Sequence, residues 1–426
     1  MPSTVPKLMA SALFVGLLAL TSAPAWSAET VTPDDTARFL AGLPPAADSP
    51  LVPLTKTPSW EQHAHHFDSV FGLEDKVSLS KIRAFSQERL PEKHQTMLYM
   101  FSGPDFLYAV SFFPSATTYV LSGLEPVGAV PPLTGLPAST VDATLHNLEG
   151  SLNTLLSISF FITKDMKTQL QNGPVYGTLP VLYVFLARTG KTIHDVSFVG
   201  LDPDGNVETQ PAPGDKAAAK QFAQSEAKGV KIVFSDGNGP NQTLYYFSTN
   251  IADDGVKTSG FLKFCDKLGV ADSFFKSASY LIAGGGFNKV RNFILNRSAT
   301  IVQDDTGIPI TYFDPQKWRL QPFGHYLGPI SEFPSCFQSG MDELFRKNNP
   351  IPIDFGLGYR WRTNESNLLV AQRIAPVDGS AVNSALTTVS DAWWGAPPKT
   401  CGGKPSQAEA LAPPERYYFF GARPAR

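Results

Sequence analysis

Cysteine is almost absent from this chain, with three residues in 426: Cys265, Cys336 and Cys401. That is too few for a fold held by disulfides, and no Cys-x-x-Cys or Cys/His spacing indicates a zinc site. Charge is thin as well. Asp, Glu, Lys and Arg make up 17% of the residues and sum to a formal −3. The basic surface required by a nucleic acid or an anionic membrane is therefore missing. Beyond the N-terminus no run of about 18 apolar residues occurs, so no further helical span of a membrane is expected. No motif asks for a cofactor.

What is present begins with a targeting pattern. Lys7 supplies a positive start, Leu8 to Leu20 an apolar core, and Ala23-Pro24-Ala25 a small-residue cleavage pattern, with Ala25-Trp26-Ser27 competing. Export to the periplasm or beyond is expected, with residues 1–28 as a signal peptide. No cysteine follows the apolar core, so a lipid anchor is not expected. In an oxidising compartment one bridge is expected, with Cys336–Cys401 the preferred pair and one thiol left over.

About 400 mature residues suffice for two or three core-building units, and 42% hydrophobic with 12% aromatic residues can fill them. The patterning predicts a mixed α/β protein of two related strand–helix–strand halves, with mixed sheets and hairpins. A Pro-rich segment covers 29–58, the first half 59–228, the second 229–375, and a Pro/Gly-rich tail 376–426. Helices are predicted from Thr32-Pro33, from the capping box Ser59-Trp-Glu-Gln62, after Asp75, from Ser139 onward toward Leu170, and over Lys216–Glu226. Strands are predicted over Leu179–Ala187 and Val196–Leu201, and as hairpins over Val230–Phe234 with Thr243–Phe247 and Pro352–Trp361 with Asn367–Ile374. Trp318–Pro334 reads as an aromatic, proline-rich loop. Gln95–Ser102 echoes Gln242–Ser248, and Ser157–Phe161 echoes Ser277–Leu281, which suggests duplication.

The chain is organised around Gln95–Pro126. Met97–Phe101 reads as a buried strand, Ser102-Gly103-Pro104-Asp105 as a helix start, and Tyr119–Leu121 as a second strand. If the two strands are parallel neighbours, Ser102, Gly103, Asp105 and Glu125 lie just past their carboxyl ends. Open α/β sheets bind ligands there. A hydrolase using this Ser102–Glu125 crevice is the enzymatic alternative. It lacks the Gly-x-Ser-x-Gly elbow, and His194 and His325 are only nominal bases.

Other motifs have plainer readings. In His63-Ala-His65-His66, one ion could engage His63 and His66 on an intact helix, but incidental histidines on a surface helix are the better reading, and no metal site is expected. Asp305-Thr-Gly307 resembles half of an aspartic-protease signature, but no second acid occupies the echo position Ala187–Gly190. A hairpin turn between Thr300–Val302 and Ile308–Phe313 is the better reading. Gly284-Gly-Gly286 reads as a joint, and Asp202-Pro-Asp-Gly as a turn without the glutamate of a calcium loop. Tyr359-Arg-Trp-Arg362 alternates aromatic and basic side chains, a face suited to a saccharide or carboxylate, though packing at a sheet edge is the commoner explanation.

The runs Tyr99–Tyr108, Tyr119–Pro126 and Asp354–Trp361 resemble an uncharacterised family of exported bacterial proteins. The resemblance implies a bacterial envelope location and carries no activity, ligand or catalytic residue. With no catalytic constellation, many aromatics and few charges, the expected function is non-catalytic: binding of a small molecule, a glycan or an envelope protein.

Overall fold

A computed structural model describes residues 31–91, 93–157, 173–212, 227–276, 280–329, 336–357 and 366–377. The signal peptide, the Lys216–Glu226 helix, Tyr359–Arg362, Cys401, the helix beyond Ser157 and nearly all of the tail lie outside these residues.

The chain opens with α1 (Pro33–Leu40), capped by Thr32, whose hydroxyl accepts from the Asp35 amide. Next comes α2 (Pro58–Glu74), which passes through a π-helical turn at Asp75–Leu79 into α3 (Ser80–Arg89). Then follow β1 (Thr96–Tyr99), α4 (Phe106–Phe112), β2 (Thr118–Gly123), α5 (Ala138–Ser157) and α6 (Leu179–Arg188). Strands β3 (Lys191–Leu201), β4 (Val207–Thr209), β5 (Ala227–Asp236) and β6 (Gln242–Ser248) form an antiparallel group. The chain then crosses to α7 (Phe261–Lys267), β7 (Ala271–Phe275), α8 (Asn288–Arg297) and β8 (Ser298–Gln303). It finishes with β9 (Trp318–Gly324), α9 (Ser339–Lys347) and β10 (Asn367–Arg373).

All ten strands join one mixed sheet, ordered β4-β3-β5-β6-β2-β1-β7-β8-β10-β9. Its middle, β6-β2-β1-β7-β8, is parallel, and antiparallel pairs extend it on both sides. Thr96–Tyr99 and Ala271–Phe275 are buried at every position, as central parallel strands with both faces covered must be. On one face Met97, Tyr99, Tyr119 and Phe274 pack under α2–α6; on the other Leu98, Met100, Val120 and Phe275 pack under α7 and α8. The first layer is rich in aromatics. The Phe112 ring meets those of Phe85, Phe274 and Phe355 at centroid distances of 6.4, 4.9 and 6.4 Å.

The mixed α/β class, the parallel β1–α4–β2 unit and the β5–β6 hairpin agree with the sequence reading, whereas duplication is not confirmed. β1 follows a helix and crosses over to β2, but its echo β6 follows a hairpin partner and leads across the sheet. Three further expectations are corrected. Leu179–Ala187 is helix α6, with Pro180 in its first turn. It is buried all round, so its apolar run shows neither a strand nor a helix period. Trp318–Gly324 is a strand rather than a loop, and it tolerates Pro322 because β9 is a sheet edge. The segment after Asp305 forms a 3-10 turn at Ile310–Tyr312, and β8 pairs instead with β7 and β10.

The aromatic layer gives a direct test. Phe112→Ala, at a fully buried position, is expected to lower the unfolding free energy by about 3–5 kcal/mol. Urea denaturation of the two proteins measures the difference. A loss below ~1 kcal/mol would mean that this layer is loosely packed.

Candidate functional site

The carboxyl ends of β2, β1, β7 and β8 lie side by side, and each runs into polar residues. From β1 the chain leads to a neighbour on one side, β2, and from β7 to a neighbour on the other, β8. The intervening helices α4 and α8 lie on opposite faces, as crossovers of the same hand require. The gap between β1 and β7 is thus the topological switch point of the sheet, where α/β folds bind ligands.

Four residues singled out in the sequence divide between two places. Ser102, Gly103 and Glu125 gather at the β1–β2 end. Phe101 (φ 60°) and Gly103 (φ 54°) bend the chain after β1. Ser102 Oγ accepts from the Ser122 amide at 3.1 Å and donates to the Gly103 carbonyl at 2.8 Å, while Gly103 N donates to Ser122 O at 3.1 Å. The hydroxyl is committed to main chain. Glu125 is buried, and the Tyr246 hydroxyl donates to its carbonyl at 2.8 Å. A side chain at Gly123 would displace its neighbours, because a Cβ would stand 2.3 Å from Glu125 Oε2 and 3.1 Å from Gly103 Cα.

Asp105 turns away to the switch point. It caps α4, accepting from Tyr108 N at 3.4 Å, and its Oδ2 accepts from the Tyr99 hydroxyl at 3.1 Å. Lys276, the first residue after β7, places Nζ 2.7 Å from the same oxygen and 3.6 Å from the centre of the Tyr108 ring. Both charged side chains are sealed from solvent, at 1% and 2% exposure. Around them stand three more buried acids: Glu74 at the end of α2, and Asp304 and Asp305 after β8. Tyr108 donates to Glu74 Oε1 at 3.1 Å, and Tyr280 donates to Asp305 Oδ2 at 2.5 Å. Asn367 Nδ2 adds a bond to Asp305 Oδ1 at 3.2 Å. Asp304 Oδ1 accepts from the Thr306 amide at 2.9 Å.

Several buried acids share one cation, and the electrostatics follow. Burial pushes Glu74 up to about 7, against the pull of Tyr108 and Lys276. Burial, then the charge of Asp304, raises Asp305. Burial lowers Lys276, opposed chiefly by Asp105. These titrating groups are buried from solvent. Sequence reading finds Asp105, misses Lys276 and Glu74, and assigns Asp304 and Asp305 to a turn.

The remaining candidates serve other contacts. His63, fully buried, bonds Leu40 O through Nε2 at 2.9 Å and Glu149 Oε1 through Nδ1 at 2.8 Å, tying α2 to α1 and α5. It is therefore not an incidental surface histidine, because α5 covers it. His66 meets Asn153 at 3.2 Å instead. Among the described residues no three His, Cys, Asp or Glu side chains are grouped to hold a metal. His194 bonds Ser235 at 2.7 Å, far along the sheet from Ser102. Cys265 is a free, buried thiol, Cys336 is buried and disulfide-bonded, and Cys401 lies outside the described residues.

An open groove of about 290 Å³ lies elsewhere, beside the β9 edge. Arg89, Leu90 and Pro91 form its wall where α3 ends; Phe323 and Val370 form its floor; Arg319, Gln321 and Gln372 supply its polar groups. Among the described residues that line it there is no nucleophile, acid or imidazole.

No family model matches the chain, and no curated protein or solved structure gives a significant match. No helix among the described residues is long and apolar enough to cross a membrane.

The raised Glu74 makes stability depend on pH in a definite direction. Its proton is held in the fold to about pH 7 but leaves the unfolded chain near 4.5. Its contribution is therefore complete below the unfolded value and is lost as pH rises through the folded one. Between pH 5 and 8 this amounts to about 2–3 kcal/mol. Glu74→Gln is expected to reduce the fall in urea-unfolding free energy over that interval by about the same amount. An identical fall in both proteins would show that Glu74 ionises in the fold as freely as in the unfolded chain.

Proposed function

We propose that the protein is an exported bacterial envelope protein with a binding rather than a catalytic role. The observation that carries this reading is the make-up of the edge groove: guanidinium and amide donors over an apolar floor, with no group among the described lining residues that could attack or exchange a proton near neutrality. Such a surface recognises and does not react. The hydrolase alternative is weakened at Ser102, whose hydroxyl is held by main-chain groups and, among the described residues, has no histidine or carboxylate hydrogen-bond partner. Support for export rests on the N-terminal pattern of Lys7, the apolar run and Ala23-Pro24-Ala25, and on the resemblance to exported bacterial proteins. A glycan, a small molecule or an envelope protein remains the expected partner class.

A thermal-shift screen of the mature protein against envelope metabolites and glycans, with each hit assayed for conversion, tests this function. At a hundredfold excess over Kd a true ligand adds about 2.7 kcal/mol. The hit should be recovered unchanged, and its effect should survive Ser102→Ala and Glu125→Gln. Product formation, or loss of the shift in those variants, would return function to the β1–β2 crevice.

A further inference from the structure

The groove has a direction. Side chains alternate along a strand, so Arg319, Gln321 and Phe323 share one face of β9. In the antiparallel register Gln372 stands opposite Arg319, Val370 opposite Gln321, and Leu368 opposite Phe323. Phe323, Leu368 and Val370 belong to the core under the α2–α6 layer, and the Phe323 ring meets Phe85 of α3 edge-on at 4.9 Å. The face is therefore apolar where α3 covers it and turns cationic and amide-bearing where α3 has ended. Arg319 to Phe323 spans about 14 Å at the usual strand rise.

The two arginines of the groove differ from others in the chain. Arg188 donates to Ala41 O and Asp68, Arg291 to Ile282 O, and Arg373 to Ser298 O while stacking on Trp318. Arg89 and Arg319 are exposed, and among the described residues neither guanidinium has a hydrogen-bond or ion-pair partner. Two free fork-shaped donors at the rim of an apolar floor match a planar anion that carries a hydrophobic body.

We infer that this groove binds a small amphipathic carboxylate, its charged end on Arg319 and Arg89 and its apolar part on Val370 and Phe323. This rests on the binding function proposed above and adds to it the class of ligand. The volume, about 290 Å³, lies at the small end for ligand sites, near 300 Å³ by the usual range, which favours a compact molecule over a polymer.

The test is isothermal titration of the mature protein with 4-phenylbutyrate and with its uncharged counterpart, 4-phenylbutyramide. The carboxylate should bind at one site, and Arg319→Gln and Arg89→Gln should each weaken it by about tenfold or more, as should the amide in place of the acid. Ser102→Ala should bind as the wild type does. No binding to the wild type, or binding that both arginine variants leave unchanged, would overturn the inference. Equal binding of acid and amide would overturn the anion while leaving the groove as a binding site. Conversion of either probe would instead overturn the non-catalytic function.

Discussion

The contact between Lys276 and Asp105 sets the terms for the rest of the sheet. Taking two opposite charges out of water costs several kcal/mol per ion, and the pair holds only if its geometry and further partners offset that cost. Those partners are present. Asp105 also accepts from Tyr99 and from the α4 amide of Tyr108, and Lys276 sits over the Tyr108 ring. The pair joins the ends of β1 and β7, whose crossover helices lie on opposite faces, so it ties the two helical layers together at the point where the chain changes direction.

From that constraint the chemistry of the neighbouring acids follows. One ammonium cannot balance Glu74, Asp105, Asp304 and Asp305 together in a medium of low polarity. Asp105 holds the direct contact, and Glu74 and Asp305 retain protons to unusually high pH. Perturbed acids in α/β proteins often mark reacting groups. Here they are sealed beneath tyrosines, and Ser102 is latched to β2 by main-chain bonds. The strand ends therefore form a closed polar cluster, while the open groove lies apart from it at the sheet edge.

The parts of this arrangement that were legible in the sequence are local. Met97–Phe101 and Tyr119–Leu121 are short apolar runs separated by a turn and a helix, and a short spacing of that kind admits few topologies. Glu125, Gly103 and Ser102 are brought together as the parallel pairing demands. Lys276 escaped notice because its partner lies 171 residues away, and no periodicity encodes such a pairing. Asp304 and Asp305 look like turn residues because acids before glycine usually are. Helix α6 reads as a strand in sequence because complete burial removes the polar face by which a helix is recognised, and the edge groove has no sequence signature because it exists only where α3 stops over β9 and β10.

A double-mutant cycle on Lys276 and Asp105, followed by urea unfolding, probes the organising contact most directly. Lys276→Met alone should cost about 3–5 kcal/mol, because it strands a buried carboxylate. Adding Asp105→Asn, which keeps the α4 cap, should recover at least ~1 kcal/mol of that loss. Strictly additive costs for the two substitutions would contradict the role given to this pair.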